Sequence, residues 1–225
     1  MRFLFALLAL IAGAVSIDAT AAPRDWTKVV SKTATGSYLI GNPKAKVKLV
    51  EYLSYTCPHC AEFLAESSPV LKGQMVRSGS TSIEFRNAVR EKLDLSAALL
   101  ARCAGPGGFV GATDAMFAQQ ESWYERGYRY QMANEARLAM YPEAGQLRAL
   151  ADGAGLTDLM RGRGMSNAAI DACFANQAEL MTIATMTSGA WAKIDGTPAF
   201  EVNGKLVKGV GWAGLQPILR AAGAK

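Results

Sequence analysis

Apolar positions change their spacing along the chain, and the changes mark its elements. Behind a basic start at Met1-Arg2, the residues from Phe3 to Ile17 form an unbroken apolar or small-residue run. Residues 22–35 are polar and mixed, as in a short arm. Tyr38 to Ile40 and Val47 to Ser54 are rich in Val, Leu and Tyr, are separated by the turn signal Gly41-Asn42-Pro43, and read as strands. From Cys57 to Val76 the apolar residues Phe63, Leu64, Val70, Leu71 and Met75 recur at helical spacing, with Pro69 expected to bend or break the helix. Thr81 to Val89 alternates imperfectly, like a further strand. Strand, helix and strand over 47–89 imply parallel pairing through a helical crossover.

Beyond Val89 strand signals almost vanish. Leu95–Cys103, Phe109–Gln120, Tyr128–Met140, Gly145–Ala154 and Asn167–Asn176 read as helices separated by Gly or Pro punctuation such as Ala104-Gly105-Pro106-Gly107-Gly108, with Asp94 and Ser166 as N-caps. A helix from Glu179 to Ala192 leads into Gly196-Thr197-Pro198. Ala199–Val202 and Lys205–Val207 then flank Asn203-Gly204, the strongest two-residue hairpin signal, and Leu215–Ala222 is a last helix. The two ends complete each other as one mixed four-stranded sheet. The chain is therefore expected to be an α/β domain, residues 22–92 and 179–225, interrupted by an all-helical insertion, residues 93–178.

Composition adds a compartment. The run from Phe3 to Ile17 is short for a membrane span and is followed by the small-x-small tripeptide Ala19-Thr20-Ala21, so residues 1–21 read as a signal peptide cleaved after Ala21, rather than as an uncleaved anchor. Nothing after residue 22 is apolar enough to cross a bilayer, so a soluble exported protein is expected. In an oxidising compartment four cysteines read first as disulfides. The net charge of +5 is spread over scattered Lys and Arg without a basic run, which argues against nucleic acid as a partner.

Candidate chemistry gathers at Thr56-Cys57-Pro58-His59-Cys60. If a helix opens at Cys57, that sulfur lies at the positive end of the helix dipole, beside free backbone N–H groups that favour a thiolate. Pro58 suits the first helical position, where its missing N–H is not needed. Cys60, one turn on, can close a small disulfide ring with Cys57. His59 adds an imidazole that can donate to sulfur or carry positive charge. Stabilising the thiolate makes the disulfide eager to be passed on, so the pair becomes an oxidant. The alternatives are half of a zinc site and two inert thiols. Zinc wants four ligands, whereas this chain has one His and two further cysteines far along the sequence.

With Val50-Glu51-Tyr52-Leu53-Ser54-Tyr55-Thr56 before Cys57-Pro58-His59-Cys60, the helical insertion, and Gly196-Thr197-Pro198-Ala199-Phe200 before Val202-Asn203-Gly204, the mature chain resembles the DsbA family of periplasmic thiol-disulfide oxidoreductases, within the thioredoxin superfamily. That resemblance implies a thioredoxin fold with an inserted all-helical domain. It also implies a cis Thr197-Pro198 bond beside the active-site pair, with Thr197 binding an extended substrate, and a buried Glu51 relaying the proton of Cys60. No cofactor or metal is expected. The implied activity is donation of the Cys57-Cys60 disulfide to folding exported proteins by a periplasmic monomer, reoxidised by a membrane quinone reductase of the DsbB type. Cys103 and Cys173 depart from the simplest members. Each lies on an apolar helical face, and the hypothesis for them is a structural disulfide, against two separate buried thiols.

Two other functions compete. One is an isomerase or reductase kept reduced by a membrane electron donor, which Thr197 before Pro198 keeps open and the lack of room for an N-terminal dimerisation domain opposes. The other is a non-catalytic chaperone or metal-binding protein. Tyr52, Tyr55 and Trp123 are candidate lining residues of a peptide groove.

Overall fold

The computed structural model describes residues 24–225, so the expected signal peptide and its cleavage site lie outside the described residues. Six strands form one mixed sheet: β1 Val30–Lys32, β2 Tyr38–Gly41, β3 Val47–Leu53, β4 Thr81–Asn87, β5 Ala199–Val202 and β6 Lys205–Val207, in the order β1-β2-β4-β3-β5-β6. β3 and β4 are parallel, from Val47 opposite Thr81 to Leu53 opposite Asn87, and every other pair is antiparallel. The four-stranded expectation is corrected at one edge. The supposed arm contains β1, which pairs with β2, and β2 in turn extends the sheet beyond β4. A three-residue strand with two exposed side chains has no alternation to read; only its pairing defines it.

β3 lies inside the sheet and is buried along its length apart from Lys48, which is why it reads as a continuous apolar run. Alternation sorts its side chains. Val47, Leu49 and Leu53 face the main core with Phe63 and Leu64, so Glu51 is turned the same way. Val50 and Tyr52 face a smaller cluster with Ala88, Ala190, Ile194 and Ala199. Asn203 and Gly204 take positive φ values of 51° and 80°, the backbone that their hairpin turn requires.

The helix after β3, α1 (Pro58–Val70), contains Pro69, which has no N–H to donate to the preceding turn, and the chain continues as a π-helical turn over Leu71–Val76. The insertion is built from α2 (Lys92–Cys103), α3 (Gly105–Ala118), α4 (Gln120–Ala133), α5 (Glu135–Leu138), α6 (Glu143–Ala154), α7 (Leu156–Gly162) and α8 (Asn167–Phe174). α9 (Gln177–Trp191) returns to the sheet, and α10 (Trp212–Ala222) ends the chain. The expected helix Tyr128–Met140 is divided between α4 and α5, α7 has no counterpart in the expectation, and three further differences have a visible cause. α3 absorbs the Gly-Pro-Gly-Gly stretch because Pro106 sits in its first turn, where proline is tolerated. α4 runs through Gly127, whose missing Cβ leaves room for Leu93 and Ala154 rather than making a turn. The N-cap of α2 is Glu91 and not Asp94, which sits in the first turn and uses its carboxylate elsewhere. Ser166 does cap α8, accepting from the Ala169 N–H.

One buried cation joins the parts. Arg102 on α2 donates to Glu179 Oε1 at 2.7 Å on α9 and to Gly36 O at 2.7 Å in the β1–β2 turn. Tyr38 on β2 donates back to Arg102 O at 2.9 Å. A fully desolvated guanidinium is tolerable only with such partners, so this network fixes how the helices sit on the sheet.

Candidate active site

β3 delivers the chain to the site, and α1 begins there. Cys57 is the N-cap residue of α1 and Pro58 opens the first turn, so the Cys57 sulfur lies at the positive end of the helix dipole. Cys57 and Cys60 are free thiols, both buried. Their environments pull them apart. The Cys57 thiol is lowered to about 5, first by the hydrogen bond from Cys60, then by Thr197 and by the backbone N–H groups of Cys60 and His59, all working against burial. Cys60 is raised well above the usual thiol range, chiefly by burial and by its role as donor to Cys57. One sulfur is therefore a thiolate at neutral pH while the other holds its proton.

Thr197 closes the site from the other end of the sequence. The Thr197–Pro198 peptide is cis, and in its thiol form Cys57 Sγ donates to Thr197 O at 3.1 Å. His59 is not turned inward: its ring is exposed, with Nδ1 3.4 Å from Glu62 Oε2, and what His59 supplies to the sulfur is its backbone N–H. Glu51 is buried on the core face of β3 and is raised to about 7, first by burial and then by Asp114, with Lys72 acting in the opposite direction. Lys72 and Asp114 themselves form an ion pair between the π-helical turn and α3.

Two grooves flank α1. One, of about 470 Å³, is bounded by His59, Phe63, Thr197, Pro198, Val210 and Trp212, and so includes Thr197, the contact partner of Cys57. The second, of about 510 Å³, lies between α1 and the insertion, against Ala61, Ala65, Phe117 and Gln120. The three aromatic residues expected to line a peptide groove do not. Tyr52, Tyr55 and Trp123 are all core residues, with polar tips bound to Glu201, Thr113 and Met116 O respectively. Their rings supply buried area, and the groove takes its aromatic wall from Trp212, which the Gly-rich approach to the last helix could have suggested.

The remaining pair lies far from this chemistry. Cys103 and Cys173 are joined by a disulfide that ties the end of α2 to α8. Among the described residues no group of three or more His, Cys, Asp or Glu side chains is placed to hold a metal ion, and no helix is long and apolar enough to cross a membrane.

Sequence reasoning missed the groups that hold the site from the insertion. Asp94 on α2 accepts from Ser54 Oγ at 2.6 Å, from the Tyr55 N–H at 2.8 Å and from the Arg90 N–H at 2.9 Å. Gln120 on α4 donates through Nε2 to Tyr55 O at 2.7 Å and to Cys57 O at 2.8 Å. No local signal marks either residue, because each acts on a segment distant in sequence.

Known proteins are similar to this chain in sequence and fold. A crystal structure of a protein-disulfide isomerase from Novosphingobium aromaticivorans is 37% identical, with a TM-score of 0.76 over 82% of this chain and 96% of that one. A crystal structure of alpha-DsbA1 from Wolbachia pipientis, 21% identical, has the same fold at a TM-score of 0.66 over 83% of this chain and 90% of that one. A Rickettsia prowazekii protein named as a protein-disulfide oxidoreductase is 35% identical over 118 residues, which are 52% of this chain and 43% of that protein, so the match spans less than half of that relative. The Thioredoxin family model matches residues 33–221, and the chain belongs to that family; its fold carries a helical insertion.

Proposed function

We propose that the protein is a thiol-disulfide oxidoreductase that passes the Cys57–Cys60 disulfide to cysteine pairs of other proteins. The observation that carries this reading is the polarisation of the pair, with one sulfur favoured as thiolate at the start of α1 and the other kept protonated. In the oxidised protein a substrate thiolate attacks Cys57 Sγ. The Cys57–Cys60 bond breaks, a mixed disulfide forms at Cys57, and Cys60 leaves and takes up a proton. A second substrate thiolate then attacks the substrate sulfur, and Cys57 leaves as the stabilised thiolate. Two electrons pass from the substrate dithiol to the pair, one proton ends on Cys60 and the other in solvent. A low-pKa leaving group speeds the second step.

Glu51 supplies the proton traffic in this reading. A carboxyl raised to about 7 can hold or release a proton at neutral pH, and it faces the same core as Cys60. Substrate lies along the groove beside Thr197 and Pro198, where Phe63, Val210 and Trp212 offer apolar contact to an extended, unfolded segment and His59, Glu62 and Glu66 form a polar side. The working compartment is the periplasm, supported by the signal-like pattern of residues 1–21 and by a second disulfide suited to an oxidising space. There a membrane quinone reductase of the DsbB type returns the pair to the disulfide, and the protein acts as a monomer. The name of the Novosphingobium relative favours a second reading, disulfide isomerisation by the reduced form.

The deciding experiment is the reduction potential of Cys57–Cys60, from equilibration with glutathione and mass counting of alkylated thiols. A potential well above the glutathione poise is expected for a disulfide donor. One near that of thioredoxin would assign the pair to reduction or isomerisation instead.

A further inference from the structure

Tyr55 stands between β3 and Cys57, and three helices of the insertion hold it. Its N–H donates to Asp94 Oδ1 at 2.8 Å on α2, and its hydroxyl lies 2.8 Å from Thr113 Oγ1 on α3. Its ring stacks on Phe117, also on α3, with centroids 4.9 Å apart. Its carbonyl accepts from Gln120 Nε2 at 2.7 Å on α4, and the same nitrogen donates to Cys57 O at 2.8 Å. A side-chain amide has two N–H groups. Gln120 uses both on the carbonyls on either side of Thr56.

Those two carbonyls matter because of where their negative ends would otherwise point. Cys57 O is the first acceptor of α1, taking the N–H groups of Cys60 at 3.1 Å and Ala61 at 3.3 Å, so its orientation sets the first turn of the helix. Without Gln120 the Tyr55 carbonyl loses its donor, which is costly when buried, while Cys57 O keeps its helix donors but loses the bond that fixes it from the insertion. Gln120 is 7% exposed, so water replaces it poorly.

We propose that Gln120 is a positioning residue of the redox pair: by holding the Tyr55 and Cys57 carbonyls it fixes the first turn of α1 beside Cys57 Sγ and favours the dithiol over the disulfide. The insertion thus tunes the oxidising power of a site that lies in the other part of the fold. This rests on the reading of Cys57 and Cys60 as a redox couple.

The test compares the wild type with Gln120→Met, which keeps length and volume but has no donor. Both are equilibrated with glutathione, and the Cys57 thiolate is titrated by its ultraviolet absorbance. The expected result is a folded variant whose equilibrium moves about tenfold toward the disulfide, equivalent to about 30 mV, with a higher Cys57 pKa. A wild type that exchanges and a folded variant within twofold of it would overturn the role of Gln120 alone. A wild type that does not exchange would overturn the redox reading and this one with it. Should the variant fail to fold, NMR of the wild type decides: slow solvent exchange of both Gln120 Nε2 protons, with shifts that move between the redox states, is expected. Fast exchange with identical shifts overturns the proposal.

Discussion

The two cysteine pairs sit at opposite ends of helices, and this separates a reactive couple from a structural bridge. Cys57 is the N-cap of α1, where free N–H groups and the positive end of the dipole favour a thiolate. Cys103 is the last residue of α2, and Cys173 lies in the last turn of α8, where the backbone presents carbonyls. Cys173 itself lies 3.4 Å from Leu99 O. A thiolate released there would meet negative ends instead of positive ones, so reduction of that bridge is disfavoured. Separation along the chain works in the same direction. The first pair closes a tiny ring within one helical turn, whereas the second closes a loop of 70 residues and so restricts the unfolded chain.

Removing one pair at a time separates their roles. Cys57→Ser is expected to abolish oxidation of a dithiol peptide entirely, since no other sulfur is both polarised and beside a groove. Any exchange surviving in that variant would show that the insertion pair is reactive.

The next largest effect is on stability and depends on pH. For the reduced protein, Cys57 has a folded-state pKa of about 5 against an ordinary thiol value of 9.0, so between those values the unfolded state binds one more proton. Stability of the reduced form then rises with pH, by about 1.4 kcal/mol per unit between pH 5 and pH 9. The Cys57 contribution is fully present above pH 9 and lost as pH falls toward 5, whereas Cys60, raised well above 9.0, contributes with the opposite sign and is lost on the alkaline side. The oxidised form has no such thiol, so urea unfolding of both forms across that range is expected to show their difference changing with this slope. A flat difference would mean that Cys57 is not a thiolate in the folded protein. The complementary experiment is the double variant Cys103→Ser/Cys173→Ser. Loss of a 70-residue loop closure is expected to cost about 4 kcal/mol in the unfolding midpoint, with the Cys57–Cys60 potential unchanged. A potential that shifts with it would show that the two pairs are coupled.

What the sequence made legible follows this same division. The reactive pair announces itself, because strand, Cys-Pro-His-Cys and helix are contiguous, and Pro58 fixes where the helix starts. The bridge does not: nothing local brings Cys103 near Cys173, and the family likeness had to suggest it. The central strands and the Asn203-Gly204 hairpin were readable from period and turn chemistry, while β1 was not, since three residues with two exposed carry no pattern. In the insertion, glycine misled. Gly127 looks like punctuation and is a close-packing position within α4. Asp94 has the local look of a cap, yet its carboxylate serves Ser54 and Tyr55 across the fold. Long-range partners of this kind decide the site's geometry and leave no trace in the periodicity.

The smallest effect is expected at His59, where sequence and structure weigh the same residue differently. Its position between the cysteines suggests that the imidazole itself holds the thiolate. The ring is instead about three-quarters exposed and faces Glu62, while its backbone N–H is directed to Cys57. A substitution to alanine keeps that N–H and the start of α1, and removes only a side chain that acts through water. His59→Ala is therefore expected to raise the Cys57 pKa and lower the potential, but by less than Gln120→Met, and by an amount that shrinks as salt is added because exposed charges are screened. Potentials measured at low and high ionic strength separate the contributions. A large, salt-insensitive drop would place the imidazole against the sulfur during exchange, and the contrast between the two helix ends would then owe as much to a side chain as to the backbone.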